Sequence, residues 1–458
     1  MSFSPELAEI RFGCGLSPEI AKPPDPDAVL QGLNGPDEMA RRFPIDGFSK
    51  VAARAAKVAK LRRQGRKSDN KSETRDKIKA YRREGKKEGS RWFVQSLQRW
   101  IHTEHGFRER LVAFWADHFT AFGKNPILRY ATGPYVEEAI RPNISGSFAD
   151  LLIATTTHPI MLHYLDQGGS IGPGSRAASR SKKPKGLNEN LARELLELHT
   201  LGVGGPYTQN DVRQLAELFT GLSFSNKAGF QFRAKFAEPG PETVLGTQYG
   251  NDPATLAPIL QALRDLATHP ATARHIASKL AVHFVSDVPD PALVQHIAGR
   301  FRDTGGDLRA VNEALLEHPS SWDTGLGNVK PPADFIASAA RALAPETDRI
   351  AALDTRATRL FLLEPLTMMG QPWQHPNGPD GWNETDAAWI TPQGVSTRLR
   401  WALSVPQKLR PDLPDPRVFV TAALGQFAPQ SVHTAARFAE SRSDAIGLVL
   451  AAPAFQRR

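Results

Sequence analysis

The stretch Asn188-Glu-Asn-Leu-Ala-Arg-Glu-Leu-Leu-Glu-Leu-His199-Thr-Leu-Gly202 decides how the chain is read. It contains no proline, opens on an asparagine suited to N-capping and closes on a glycine suited to the left-handed C′ position, so it reads as one helix. At about 100° per residue, Asn190, Arg193, Glu194 and Glu197 share a face. Leu191, Leu195 and Leu198 share another, with His199 at its edge. The leucine side requires an apolar partner. Thr208 and Asp211, three residues apart, form a capping-box pattern that opens a second helix directly afterwards.

Working outward, the same periodicity recurs. Between Phe107 and Phe122, residues Leu111, Phe114, Trp115, His118 and Phe122 fall on one face, and Arg110, Asp117 and Lys124 on the other. Further helical segments are spread over 134–166 and from 255 to 451. Alternation in Phe230-Gln-Phe232-Arg and the run Glu242-Thr-Val-Leu245 predict one small β-hairpin or sheet near 222–250. No fixed-period repeat is present, which argues against a solenoid. The predicted class is mainly α, a multi-helix globular bundle. Four regions follow: an N-terminal helical segment (1–48), a basic helical arm (49–91), a signature helical core with the β insertion (92–250), and a C-terminal helical region packed on that core (251–458).

The net charge of +9 over 458 residues is concentrated. From Lys50 to Arg91 there are 17 Lys and Arg against 5 Asp and Glu, so the rest of the chain is slightly acidic. The arm carries one aromatic, Tyr81, and no nucleic-acid-binding motif. Base stacking is therefore disfavoured, and a solvated helical arm, or one docking an acidic partner, fits better than a nucleic-acid-binding one. Cys14 is the single cysteine, which excludes an internal disulfide and a multi-cysteine metal site. No apolar run approaches the ~20 residues a membrane span needs. The first residues show no basic segment followed by an apolar one, so a cytoplasmic location is expected.

Two loops stand apart. Gly168 to Gly186 is rich in Gly, Ser, Lys and Arg and reads as a long insertion. Met369 to Trp382 is stiffened by prolines and carries Trp373 and Trp382; it reads as a clasp over a core or as the cap of a pocket. The residues best suited to chemistry are His118, Glu194 and Glu197, an acid–base set or a set of divalent-metal ligands between two helices. Asn188, Asn190, Arg193, His199, Asp211, Arg110 and Trp382 are the accompanying binding candidates. The spacing matches no metalloprotease or di-iron motif. A structural polar network, with Arg110 and Arg193 pairing carboxylates, is the competing reading. The cofactor stays unassigned, with a divalent metal as the one candidate.

The run from Asn188 to Gly202, followed by Tyr207-Thr and Asp211-Val, resembles the signature of the domain-of-unknown-function 1800 family. The resemblance extends to Arg110-Leu, Phe114-Trp115, His158-Pro159, Tyr164-Leu-Asp166, Lys330-Pro331 and Gly381-Trp382. It implies a bacterial, mainly helical protein without an assigned reaction. It also implies a partner from a neighbouring, often exported family (unknown function 1501), so that export bound to such a partner is the alternative to the cytoplasm. Two departures stand out. A His-Asn-His pattern common in the family is Ala116-Asp117-His118 here, and positions of a family histidine and basic residue are Ala237 and Glu242. Two readings of function follow: a binding or scaffold protein acting with that partner, and a metal-assisted or acid–base hydrolase.

Overall fold

The computed structural model describes residues 3–66, 71–180, 186–226 and 229–458. Helix α1 (Phe48–Gly65) and helix α2 (Lys71–His102) form an antiparallel hairpin. Its register is fixed where Lys50 and Arg54 reach Glu88 and Arg91 reaches Asp46. The run Gly65-Arg-Lys-Ser-Asp-Asn70 predicts a break between two helical halves of the arm; residues 67–70 of it lie outside the described residues. The spacing of Val51, Ala55, Val58 and Leu61 predicts a thin apolar stripe along the arm; the first three are buried and Leu61 half-buried, whereas Arg62, Arg63, Arg82, Arg83, Lys86 and Lys87 are exposed. Helix α2 passes residue 91 without interruption, so arm and body share one rigid rod. Gly89 allows its close approach to the body: a Cβ there would sit 2.5 Å from the Tyr130 ring.

Helix α3 (Gly106–His118) and helix α4 (Thr132–Tyr135, continued by a π-turn over Val136–Ile140) follow. The signature stretch forms helix α5 (Asn190–Glu194), continued by a π-turn over Leu195–His199 and stopped at Gly202, whose φ is 88°. Helix α6 (Gln209–Leu218) opens with the Thr208/Asp211 capping box.

Among the described residues the β content is two separate antiparallel hairpins, β1 (Leu222–Ser225) with β2 (Gly229–Phe232), and β3 (Gly240–Val244) with β4 (Thr247–Asn251). They stay separate because each packs on a different helix: β1 on the helix Pro159–Tyr164, β3 on α6. Leu245 and Gly246 both take positive φ, 48° and 79°, the twist a two-residue hairpin turn needs. Helix α7 (Pro270–Phe284) and helix α8 (Pro332–Leu343) complete the elements used below. The class is therefore mainly α with a small β region, and no helix among the described residues is long and apolar enough to cross a membrane.

Two hydrophobic cores result. The first gathers side chains from Leu7 to Trp322, including Leu111, Phe114 and Trp115 of α3 and Leu191, Leu195, Leu196 and Leu201 of the signature stretch, whereas Leu198 is half-buried outside it. The second gathers α8 and the helices after it, together with Phe93, Leu97, Trp100 and Ile101 of α2. Helix α3 lies at the seam between them.

Candidate functional site

Helix α3 is covered on both sides. Leu111, Phe114, Trp115 and His118 enter the first core, whereas Arg110, Ala113 and Asp117 line a cavity of ≈ 140 Å³. Those three recur at i, i+3 and i+7, so one helix face supplies them. The cavity sits between the two cores, a common position for a ligand site. Four tryptophans line it: Trp100 from α2, and Trp373, Trp382 and Trp389 from the proline-rich loop and its continuation.

One wall is a closed charge network. Arg99 holds Glu137 of α4 with both arms, at 2.5 and 3.0 Å, and also donates to the Phe43 carbonyl. Arg141 pairs with Glu109 and, at 2.7 Å, with Asp37. Burial of such charges is tolerable only when each is matched in this way. On the opposite wall Arg110 and Arg458 share Asp334 of α8. Arg110 Nη2 also lies 3.1 Å from His283 Nε2. A guanidinium only donates, so Nε2 carries the lone pair and the ring proton is on Nδ1. Nδ1–H then donates to Glu384 Oε1 at 2.8 Å. The relay Asp334–Arg110–His283–Glu384 ends on the cavity.

Asp117 faces the same space. Its Oδ1 and Oδ2 lie 2.9 and 3.2 Å from the Trp382 backbone N–H, which pins the tryptophan loop to the end of α3. Gly381 makes this approach possible: its φ is +78°, and a Cβ there would lie 2.7 Å from Asp117 Oδ2. Asp117 is half-buried and lines the cavity. Burial, followed by the nearby Glu384 and Asp380 charges, pushes its carboxyl up to about 8, against weaker opposing effects of Lys279 and the Trp382 N–H. Glu384 moves the other way. Burial alone would raise it, but its contact with His283, together with the charges of Lys279 and Arg110, outweighs that and holds it below its usual range. At neutral pH one carboxyl keeps its proton and its neighbour does not, the arrangement acid–base catalysis requires.

The residues singled out from the sequence separate into three groups. Arg110 and Trp382 are at the cavity. His118 and His199 meet inside the first core: His118 Nε2 donates to the His199 carbonyl at 3.2 Å, and their rings lie 6.0 Å apart, with His275 equally close to His118. Burial drives both histidines to the neutral form, His199 down to about 3. Glu194 and Glu197 lie on the other face of α5, half-buried. Arg193 bridges Glu197, Glu189 and Gln209, and burial, then Glu197 and Asp380, raises Glu194. Among the described residues no hydrogen bond or ion pair joins either carboxylate to His118.

Asn188 anchors its loop through the Leu165 carbonyl and caps α5 through the exposed Asn190 backbone N–H. Asp211 ties α6 to the Leu245 N–H at the hairpin turn. Of the Gly168–Gly186 loop, Gln167–Gly169 and Arg176–Ser179 form short helical turns, while Lys182, Lys183 and Lys185 lie outside the described residues. Among the described residues no three His, Cys, Asp or Glu side chains are arranged to hold a metal ion.

The reading of the sequence did not single out Glu384, His283, Asp334, Glu109, Glu137 or Arg141 as site residues, and it placed Asp117 only on the polar face of α3. The usable signal was that face, where small alanines alternate with charge, together with the aromatic-rich loop. A family model described as "Protein of unknown function (DUF1800)" matches residues 10–457. No curated protein and no solved structure matches the chain.

Proposed function

The chain belongs to the DUF1800 family of proteins of unknown function, and from that premise we propose that it is a hydrolase working by acid–base catalysis in the tryptophan-lined cavity. The observation that carries this reading is the placement of Asp117 and Glu384 on one cavity in opposed electrostatic surroundings. Asp117 donates its proton to the leaving-group atom as the scissile bond breaks. Glu384, whose Oε2 has no hydrogen-bond partner among the described residues, takes a proton from the attacking water. His283 and Arg110 position Glu384 and keep it ionised. This moves the acid–base role from His118, Glu194 and Glu197 to residues that share a cavity.

The test is a panel of 4-nitrophenyl glycosides, esters and phosphates at neutral pH, with Asp117→Asn and Glu384→Gln. Each variant is expected to lower turnover by about 10²-fold or more. Absence of any turnover, or turnover unchanged in both variants, ends this reading.

A second reading rests on the α1–α2 hairpin, whose outer part exposes basic side chains with few partners. It fits docking of an acidic protein, such as a member of the 1501 family. Reversal of Arg62, Arg63, Arg82 and Arg83 to Glu is expected to abolish co-purification of that partner from the native host. Retention of the partner by the reversed protein counts against it.

A further inference from the structure

We propose that the ligand of this cavity is a neutral sugar ring, stacked on tryptophan and held by uncharged amide and hydroxyl side chains; this rests on the cavity being the functional site.

The charge on the walls is the first argument. Each guanidinium facing the cavity is already matched: Arg99 by Glu137, Arg141 by Glu109 and Asp37, Arg110 by Asp334. None is left to receive a phosphate or carboxylate. Glu384, held ionised, adds negative charge, so an anionic ligand meets repulsion with no compensating pair. Lys279, whose charge acts on both carboxyls, is not among the lining residues.

Uncharged polar groups are the second. Ser96, Thr120, Thr132, Gln371, Gln374 and Asn383 all face the space. Gln371 uses its Oε1 to accept from the Ala333 N–H, and Asn383 uses its Oδ1 to accept from Thr385. Their NH2 groups, and the whole amide of Gln374, have no protein partner among the described residues. These groups need acceptors and donors from a ligand or from water. A polyhydroxylated ring offers both on every carbon. An ammonium ligand, which the tryptophans and Glu384 would also attract, offers no acceptor and would leave the half-buried Gln371 and Gln374 NH2 groups unanswered.

Shape is the third. Tryptophan faces are flat, apolar and electron-rich, and they complement the C–H face of a pyranose while its hydroxyls point sideways to the amides. The ≈ 140 Å³ cavity has room for roughly ten waters at ~10–15 Å³ each, close to the size of one monosaccharide.

Calorimetric titration of the full chain with methyl glucoside, galactoside, mannoside, xyloside and N-acetylglucosaminide tests this, with glucose 6-phosphate and tetramethylammonium as charged counter-probes. At least one glycoside is expected to bind. Its affinity should fall about tenfold or more in Gln374→Ala and in Trp373→Ala, and the counter-probes should bind more weakly by a similar factor. The proposal is overturned if none of the glycosides binds, or if either counter-probe binds as well as the best of them. Glycoside binding without turnover would remove the catalytic reading alone. Turnover of an ester without glycoside binding would remove this inference alone.

Discussion

Asp117 and His118 are neighbours in the chain and belong to opposite worlds. His118 points into the first core, neutral, its Nδ1 without a partner and its Nε2 on a backbone carbonyl. Asp117 points into the cavity between the cores and keeps a proton that an ordinary aspartate would lose. The difference teaches that polarity alone does not mark a functional residue. The histidine, chemically the more suggestive, is held as a packing element, while the aspartate beside it has an accessible space and a second carboxyl to act with.

The largest expected effect bears on the wall that makes the cavity. Arg141→Ala leaves Glu109 buried without its partner and should cost about 3–5 kcal/mol in a denaturant titration. A loss under about 1 kcal/mol, the level of an exposed pair, would mean that the wall is solvated and the cavity open.

Next come the opposite pH responses of the two neighbours. Between the ordinary 3.8 of an aspartate and about 8, the folded protein holds a proton that the unfolded chain has released. Its contribution to stability is therefore complete at low pH and lost as pH rises through that window, by at most roughly 1.4 kcal/mol per pH unit. Asp117→Asn, facing Glu384, Asp380 and Lys279 as before, should flatten this decline in urea titrations from pH 5 to 9. An unchanged slope would show that Asp117 ionises normally.

His118 gives the reverse. Below about pH 6.5 the unfolded chain binds a proton that the buried ring refuses, so its contribution is present above that value and lost as pH falls. His118→Leu should remove part of the acid sensitivity while costing about 1 kcal/mol at pH 8 for the lost carbonyl bond. It should leave turnover intact. A fall in turnover matching that of Asp117→Asn would break the comparison outright.

The smallest effect belongs to the signature helix. Arg193 is partly exposed and makes i,i+4 pairs, so Arg193→Ala should cost only about 0.3–0.5 kcal/mol per pair. A thermal shift equivalent to several times that would reveal a partner or ligand on the acidic face of α5.

The sequence by itself determined what depends on neighbours along the chain. The helical class, the stop at Gly202, the Thr208/Asp211 cap, the small β region within 222–250, and the thin stripe of the basic arm all follow from spacing and local backbone chemistry. Its periodicity also separated the two faces of α3. Tertiary structure alone decided which of those faces meets a cavity, because Asp117, His283, Asp334 and Glu384 come from four segments spread over more than half the chain. No periodicity links them. Their charge states, moreover, are set by burial and by one another's fields, which exist only once the two cores have closed on α3.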